Sequence, residues 1–177
     1  MFPYNKNKLN ITLCGMMGSG KSSLGKKIAK KINYSFIDID KLIEDKMNKS
    51  ISDIFEQNGE QFFRKLEEDI TIKNLNTKKA VISLGGGSIL NKSIRSSIKK
   101  NSINIYLEVK NDILINRLKN SKNRPLIKNK NLEVILNDLK LSREKYYKEA
   151  DMIIQNEGNV EDASKKIIEI LSNEKNN

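Results

Sequence analysis

Five short apolar, β-branched runs divide this chain: Leu9–Cys14, Ser35–Ile39, Ala80–Leu84, Ile103–Val109 and Met152–Gln155. Bounded by Gly, Asn or Asp, each has the length and make-up of a strand. The longer segments between them carry a helical period. Leu24, Ile28 and Ile32 recur every fourth residue and mark one helix face, and Ile94 with Ile98, Ile113 to Leu118 and Ile167 to Leu171 mark others. Strand and helix in regular alternation predict an α/β sandwich around a mainly parallel sheet.

Two stretches exceed what a crossover helix needs. Residues 41–76 predict an insertion of two or three helices with a break near Asn58-Gly59, and residues 120–131, rich in Lys and Asn around Arg124-Pro125, predict a mobile loop. Both follow strands, and in open parallel sheets ligands bind beyond the carboxyl ends of the strands. No repeat or linker interrupts the pattern, so residues 1–177 are expected to form one domain, long enough to bury a sizeable core.

The segment Gly15-Met16-Met17-Gly18-Ser19-Gly20-Lys21-Ser22 matches G-x-x-x-x-G-K-[ST] at every fixed position, with a strand-like run before it and a periodic helix after it. Glycines let backbone wrap closely around phosphate oxygens at a helix N-terminus, where N–H groups point inward. Gly18, Ser19, Gly20, Lys21, Ser22 and Ser23 are therefore candidate ATP contacts. Lys21 is placed against the β- and γ-phosphates, and the Ser22 hydroxyl on Mg²⁺. The loop says nucleotide, but GTPases, ATPases and small-molecule kinases share it.

Three further features suggest an acceptor. In Phe36-Ile37-Asp38-Ile39-Asp40 a strand period puts Asp38 and Asp40 on one face at a carboxyl end. One such carboxylate can support a metal through water and the other can hold or deprotonate a hydroxyl. Gly85-Gly86-Gly87 follows a buried strand, where it either lets a small molecule lie on backbone or makes a flexible turn. The arginines form the third feature. Of 33 basic residues 28 are Lys, and Ile, Lys and Asn together make 76 of 177 residues. Shared adenine- and thymine-rich codons account for that bias, so the formal charge of +11 reads as compositional background scattered over the surface, and no nucleic-acid partner is expected. The few Arg residues that persist suit tasks Lys performs poorly, such as forked pairing to carboxylate or phosphate. Arg64, with Glu67 on the same helix face, Arg117, Arg124 and Arg143 are candidates, while Arg95 is assigned to a solvated face.

Other classes are disfavoured. There is no His to act as base or metal ligand, and the single Cys14 forms no intramolecular disulfide and reads as a small buried hydrophobe. The apolar stretch behind Lys6 and Lys8 is too short for a signal sequence, and no run approaches a membrane span, so a soluble cytoplasmic protein without membrane contact is expected.

Together the motifs G-M-M-G-S-G-K-S, F-I-D-I-D, I-F-E-Q-N-G-E-Q-F-F-R-K-L-E, G-G-G, R-P-L-I and R-E-K-Y-Y-K-E-A, in that order, resemble the shikimate kinase family of P-loop kinases, related to nucleoside monophosphate kinases. The resemblance implies a five-stranded parallel sheet in the order 2-3-1-4-5, a substrate-binding helical insertion, a lid at about 120–131, and transfer of the ATP γ-phosphate to the 3-hydroxyl of shikimate. Carried over by position, it implies Asp40 as base and shikimate ligand, Asp38 supporting Mg²⁺ through water, and Arg64 and Arg143 on the shikimate carboxylate. It further implies Gly85, Gly86 and Gly87 as backbone contacts, Arg124 as the lid residue on the transferring phosphate, and Arg117 stacked on adenine. Lys21, Asp40 and Arg124 form the implied catalytic set, with ATP as co-substrate; nothing in the sequence suggests an obligate interface, so a monomer is expected. The segment Asn156-Glu157-Gly158-Asn159-Val160 lacks the Arg or Pro often seen in the family's adenine-side loop, which leaves that contact unassigned. Two other readings are a kinase for another hydroxylated acid such as gluconate, and a nucleotide-binding module that uses its charge on RNA.

Overall fold

The computed structural model describes residues 10–119 and 131–173. Five strands form one parallel sheet: β1 (Asn10–Cys14), β2 (Ser35–Asp38), β3 (Ala80–Ser83), β4 (Ser102–Glu108) and β5 (Met152–Gln155). Their order across the sheet is β2-β3-β1-β4-β5. Helices α1 (Lys21–Ile32) and α7 (Val160–Asn173) cover one face. The other carries α3 (Ile51–Leu75), α4 (Lys92–Asn101), α5 (Asn111–Leu118) and α6 (Leu132–Tyr147), with α2 (Ile39–Met47) beside α3.

The pleat divides the core. Ile11, Leu13, Val81, Ile103, Ile105 and Leu107 pack with Leu24 and Ile28 of α1 and Ile167 of α7. Cys14, Ile82, Leu84 and Tyr106 point the other way, onto Ile70, Ile94, Leu136 and Tyr147. Asn10 fastens the entry to β3, donating through Nδ2 to Leu75 O at 3.0 Å and Thr77 O at 2.6 Å and accepting from Ala80 N at 3.1 Å.

The strands stop within a residue or so of their expected ends, and one difference matters chemically. β2 ends at Asp38, whose carboxylate accepts from Lys41 N at 3.3 Å and caps α2. Asp40 therefore lies in the first turn of a helix and not on the face of a strand, because the Asp side chain competes for the free N–H groups of the following turn. The insertion contains two helices, and the expected break falls inside α3 at Gly59, with φ 80° and ψ 168°. Those angles are open to glycine and strained for other residues. Arg95 is not simply solvated: its Nη1 donates to Ile89 O and Leu90 O, both at 2.8 Å, and its guanidinium lies 4.1 Å over the Tyr146 ring.

Cys14 is 1% exposed, and burial pushes its thiol up to about 12 although the Lys21 charge pulls it back. A thiol-specific reagent at pH 8 is expected to leave the native protein unlabelled and to modify it upon denaturation. Because the folded state holds this proton more firmly, the contribution of Cys14 to stability is complete below the unfolded thiol's pKa. It declines as pH rises toward 12. Thermal unfolding of Cys14→Val from pH 8 to 11 should therefore lose part of the alkaline slope of the parent, and equal slopes would contradict a buried neutral thiol.

Candidate active site

All five carboxyl ends of the strands open on the same edge of the sheet, where a cavity of about 450 Å³ is lined by Gly18, Gly20, Lys21, Ser22, Ser23, Asp40, Gly86, Arg117 and Asn156. Its floor is the loop from β1 to α1. Gly15, Gly18 and Gly20 have φ of 143°, 78° and 90°, and no side chain caps the first turn of α1, which also lacks acidic residues. An uncapped helix end with free N–H groups favours an anion. Lys21 Nζ folds over the loop, donating to Gly15 O at 3.0 Å and Met16 O at 3.1 Å. Ser22 Oγ donates to Asp38 Oδ2 at 2.5 Å, joining the start of α1 to the end of β2. Ser19 is buried under the loop, and Ser23 is exposed at its rim.

Opposite the loop, four chain segments converge around Gly85 to Gly87. Arg64 donates to Glu67 Oε2 at 2.7 Å and to Glu60 Oε1 at 3.1 Å. Glu67 is 2% exposed and also accepts from Ser88 Oγ at 2.6 Å. Burial draws the Arg64 guanidinium down, but the charge and hydrogen bond of Glu67, and then those of Glu60, outweigh it and hold the group above its ordinary range. Arg143, 4% exposed on α6, donates through Nη1 to Gly86 O at 3.0 Å, and Tyr147 donates to the same oxygen at 2.6 Å.

The glycine run is explained by close approach. A Cβ on Gly87 would stand 2.6 Å from Arg64 Nη1, and one on Gly85 would meet Glu67 Oε1 and lie 2.8 Å from Asp40 Oδ1. Any side chain there would push into Arg64, Glu67 or Asp40. Arg117, half-buried on α5, reaches Gly18 O at 3.3 Å and Asn156 O at 2.9 Å.

A cradle for phosphates and a cluster of guanidinium, carboxylate and bare backbone thus share one cleft. A profile of the shikimate kinase family matches residues 17–172. The chain belongs to the shikimate kinase family. Shikimate kinase from Caldanaerobacter subterraneus subsp. tengcongensis is 38% identical over 165 residues, which cover 93% of this chain and 92% of the relative. The solved structure of shikimate kinase from Acinetobacter baumannii in complex with shikimate has a TM-score of 0.89 at 36% identity, covering 93% of each chain. A gluconokinase from Sinorhizobium meliloti, 17% identical with a TM-score of 0.58, shares the fold alone.

For this shikimate kinase family member, the sequence-expected residues fall into three groups. Gly18, Gly20, Lys21, Ser22, Ser23, Asp40, Gly86 and Arg117 line the cavity. Asp38, Gly85 and Arg143 are tied to that lining by the contacts above, Arg64 and Gly87 lie against one another next to Gly86, and Ser19 is buried within the loop. Arg124 and all but the last residue of the expected lid lie outside the described residues; Asn131 caps α6, accepting from Glu133 N at 3.0 Å. Sequence reading missed Ser88 and Tyr147 as parts of the site and left Asn156, in the adenine-side segment, without an assigned contact. A polar residue directly beyond β5 is the only local signal for Asn156, and Ser88 and Tyr147 act through partners distant in sequence.

Proposed function

We infer that this protein transfers the γ-phosphoryl group of ATP to the 3-hydroxyl of shikimate, giving shikimate 3-phosphate and ADP. The observation that supports this reading is the cavity shared by the phosphate loop, Asp40 and Gly86, with Arg143 hydrogen-bonded to Gly86 and Arg64 packed against Gly87 and paired to Glu67.

Shikimate is a carboxylate bearing several hydroxyls. Forked guanidinium groups suit its carboxylate, and we assign Arg64 and Arg143 to it; Asp40 and the backbone of Gly85 to Gly87 suit its hydroxyls. Asp40 takes the hydroxyl proton as the oxygen attacks the γ-phosphorus and the bond to the bridging oxygen breaks. Lys21 and the N–H groups at the start of α1 hold the phosphates. Arg117 is assigned to the adenine face and Arg124 to the transferring phosphate.

The Ser22 hydroxyl with the Asp38 carboxylate is an all-oxygen donor pair that fits Mg²⁺, with Ser22 holding the ion and Asp38 supporting it through water. When bound, Mg²⁺ neutralises charge on the β- and γ-phosphate oxygens. The helical insertion, about 41–76, is assigned to acceptor binding and residues 120–131 to a lid that excludes water. One chain supplies every assigned group, which suits a monomer. No helix among the described residues is long and apolar enough to cross a membrane, and ATP chemistry with a lone thiol suits the cytoplasm.

An ADP-release assay offering shikimate, gluconate and nucleoside monophosphates should show turnover with shikimate. Folded, Mg²⁺-loaded protein that releases no ADP in its presence would overturn the reading. In the same assay Arg64→Lys should raise KM for shikimate about tenfold or more and change KM for ATP less than about twofold, since Lys keeps the charge but not the fork shared with Glu67 and Glu60. A parallel rise in both constants would remove Arg64 from the acceptor side.

A further inference from the structure

We propose that Asn156 is a positioning residue that locks the phosphate loop to Arg117, so that the seat for the nucleotide's phosphates and the wall for its base form one preorganised unit. The proposal rests on the reading of this cleft as an ATP site.

Asn156 directly follows β5 and is 2% exposed. Three of its groups reach three different segments. Its backbone N donates to Glu108 O at 2.9 Å, at the end of β4. Its Nδ2 donates to Ser19 O at 2.7 Å, inside the phosphate loop and 137 residues earlier. Its backbone O accepts from Arg117 Nη2 at 2.9 Å, and Arg117 Nη1 returns to Gly18 O at 3.3 Å. Gly18, Ser19, Asn156 and Arg117 thus form a closed circuit between the loop, the exit of β5 and α5.

The circuit has a consequence for the loop's donors. The C=O and N–H of a trans peptide point in opposite directions. Holding Ser19 O toward Asn156 therefore fixes the Ser19–Gly20 peptide and turns the Gly20 N–H away from Asn156. Packing adds to this, since a Cβ on Gly20 would stand 2.8 Å from Asn156 Nδ2. The buried Asn156 Oδ1 has no partner among the described residues. The amide is thus used through its donor alone, and a carboxylate of the same shape would aim negative charge at Ser19 O and at the phosphates.

The test measures KM for ATP and for shikimate separately in Asn156→Ala and Asn156→Asp, with thermal unfolding to establish that each variant is folded. Both should raise KM for ATP about tenfold or more while KM for shikimate changes less than about twofold, and Asp should exceed Ala because it adds repulsion to the lost donor. The isosteric Asp variant keeps the test open if the Ala variant does not fold. Unchanged KM for ATP in the folded variants, or an equal rise in both constants, overturns the role of Asn156 while leaving the ATP site in place. Absence of ATP turnover in the parent protein instead overturns the functional reading beneath it.

Discussion

Asp40→Asn is expected to lower kcat by a factor on the order of 10²–10⁴, with KM for ATP changed less than about twofold. Asn keeps the shape of the side chain and can still accept a hydrogen bond from an acceptor hydroxyl, but it cannot take the proton. The loss should therefore appear in kcat more than in shikimate affinity. The position is favourable for such a test. Asp40 lies in the first turn of α2 and on the cavity wall, with its carboxylate near Gly85. Removing one negative charge from the start of a helix costs about 0.3–1 kcal/mol, so the thermal midpoint should move only slightly. Steady-state rates at saturating ATP and shikimate measure the effect. A kcat within about threefold of the parent would show that the hydroxyl loses its proton elsewhere.

The layout of the sheet is legible in the sequence because strands β1, β3 and β4, buried on both faces, are short runs rich in Ile, Leu and Val, although β1 and β4 also bury Asn10, Thr12, Ser102 and Asn104. β5, at the edge, alternates buried and exposed residues and is equally plain. The end of β2 is not legible. Asp-Ile-Asp fits a strand period as well as a helix start, and only the capping bond from Lys41 N to Asp38 decides between them. Arg95 is opaque for a similar reason, since the aromatic ring beneath it belongs to Tyr146, brought there by α6.

Within the site, what is local is legible. The phosphate loop carries its chemistry in eight consecutive residues, and Arg64 with Glu67 announces a pair by helical spacing. The glycine run leaves two readings open in the sequence, a small molecule lying on backbone or a flexible turn, and the structure adds a constraint that neither names: the close approach of Arg64, Glu67 and Asp40. Ser88 and Tyr147 each act through a side-chain hydrogen bond to a distant segment and Asn156 through several, and such bonds leave no periodic trace.

Lys21→Met should lower kcat/KM for ATP by about a thousandfold, the size seen when a preorganised donor is removed from developing negative charge. The methionine stem occupies nearly the same volume, so the change removes charge and hydrogen bonds more than packing. In the parent protein the ammonium already sits over the loop on Gly15 O and Met16 O, at the mouth of the helix end that receives the phosphates. It therefore needs little reorganisation to meet the nucleotide, and its charge counts most where negative charge shifts toward the bridging oxygen as the phosphoryl group leaves. The larger share of the loss should lie in kcat, with a smaller rise in KM for ATP, because the α1 N–H groups still hold the ground-state phosphates. Single-turnover rates with excess enzyme separate the two. A variant that binds ATP poorly yet turns over bound ATP at the parent rate would show that Lys21 serves binding alone.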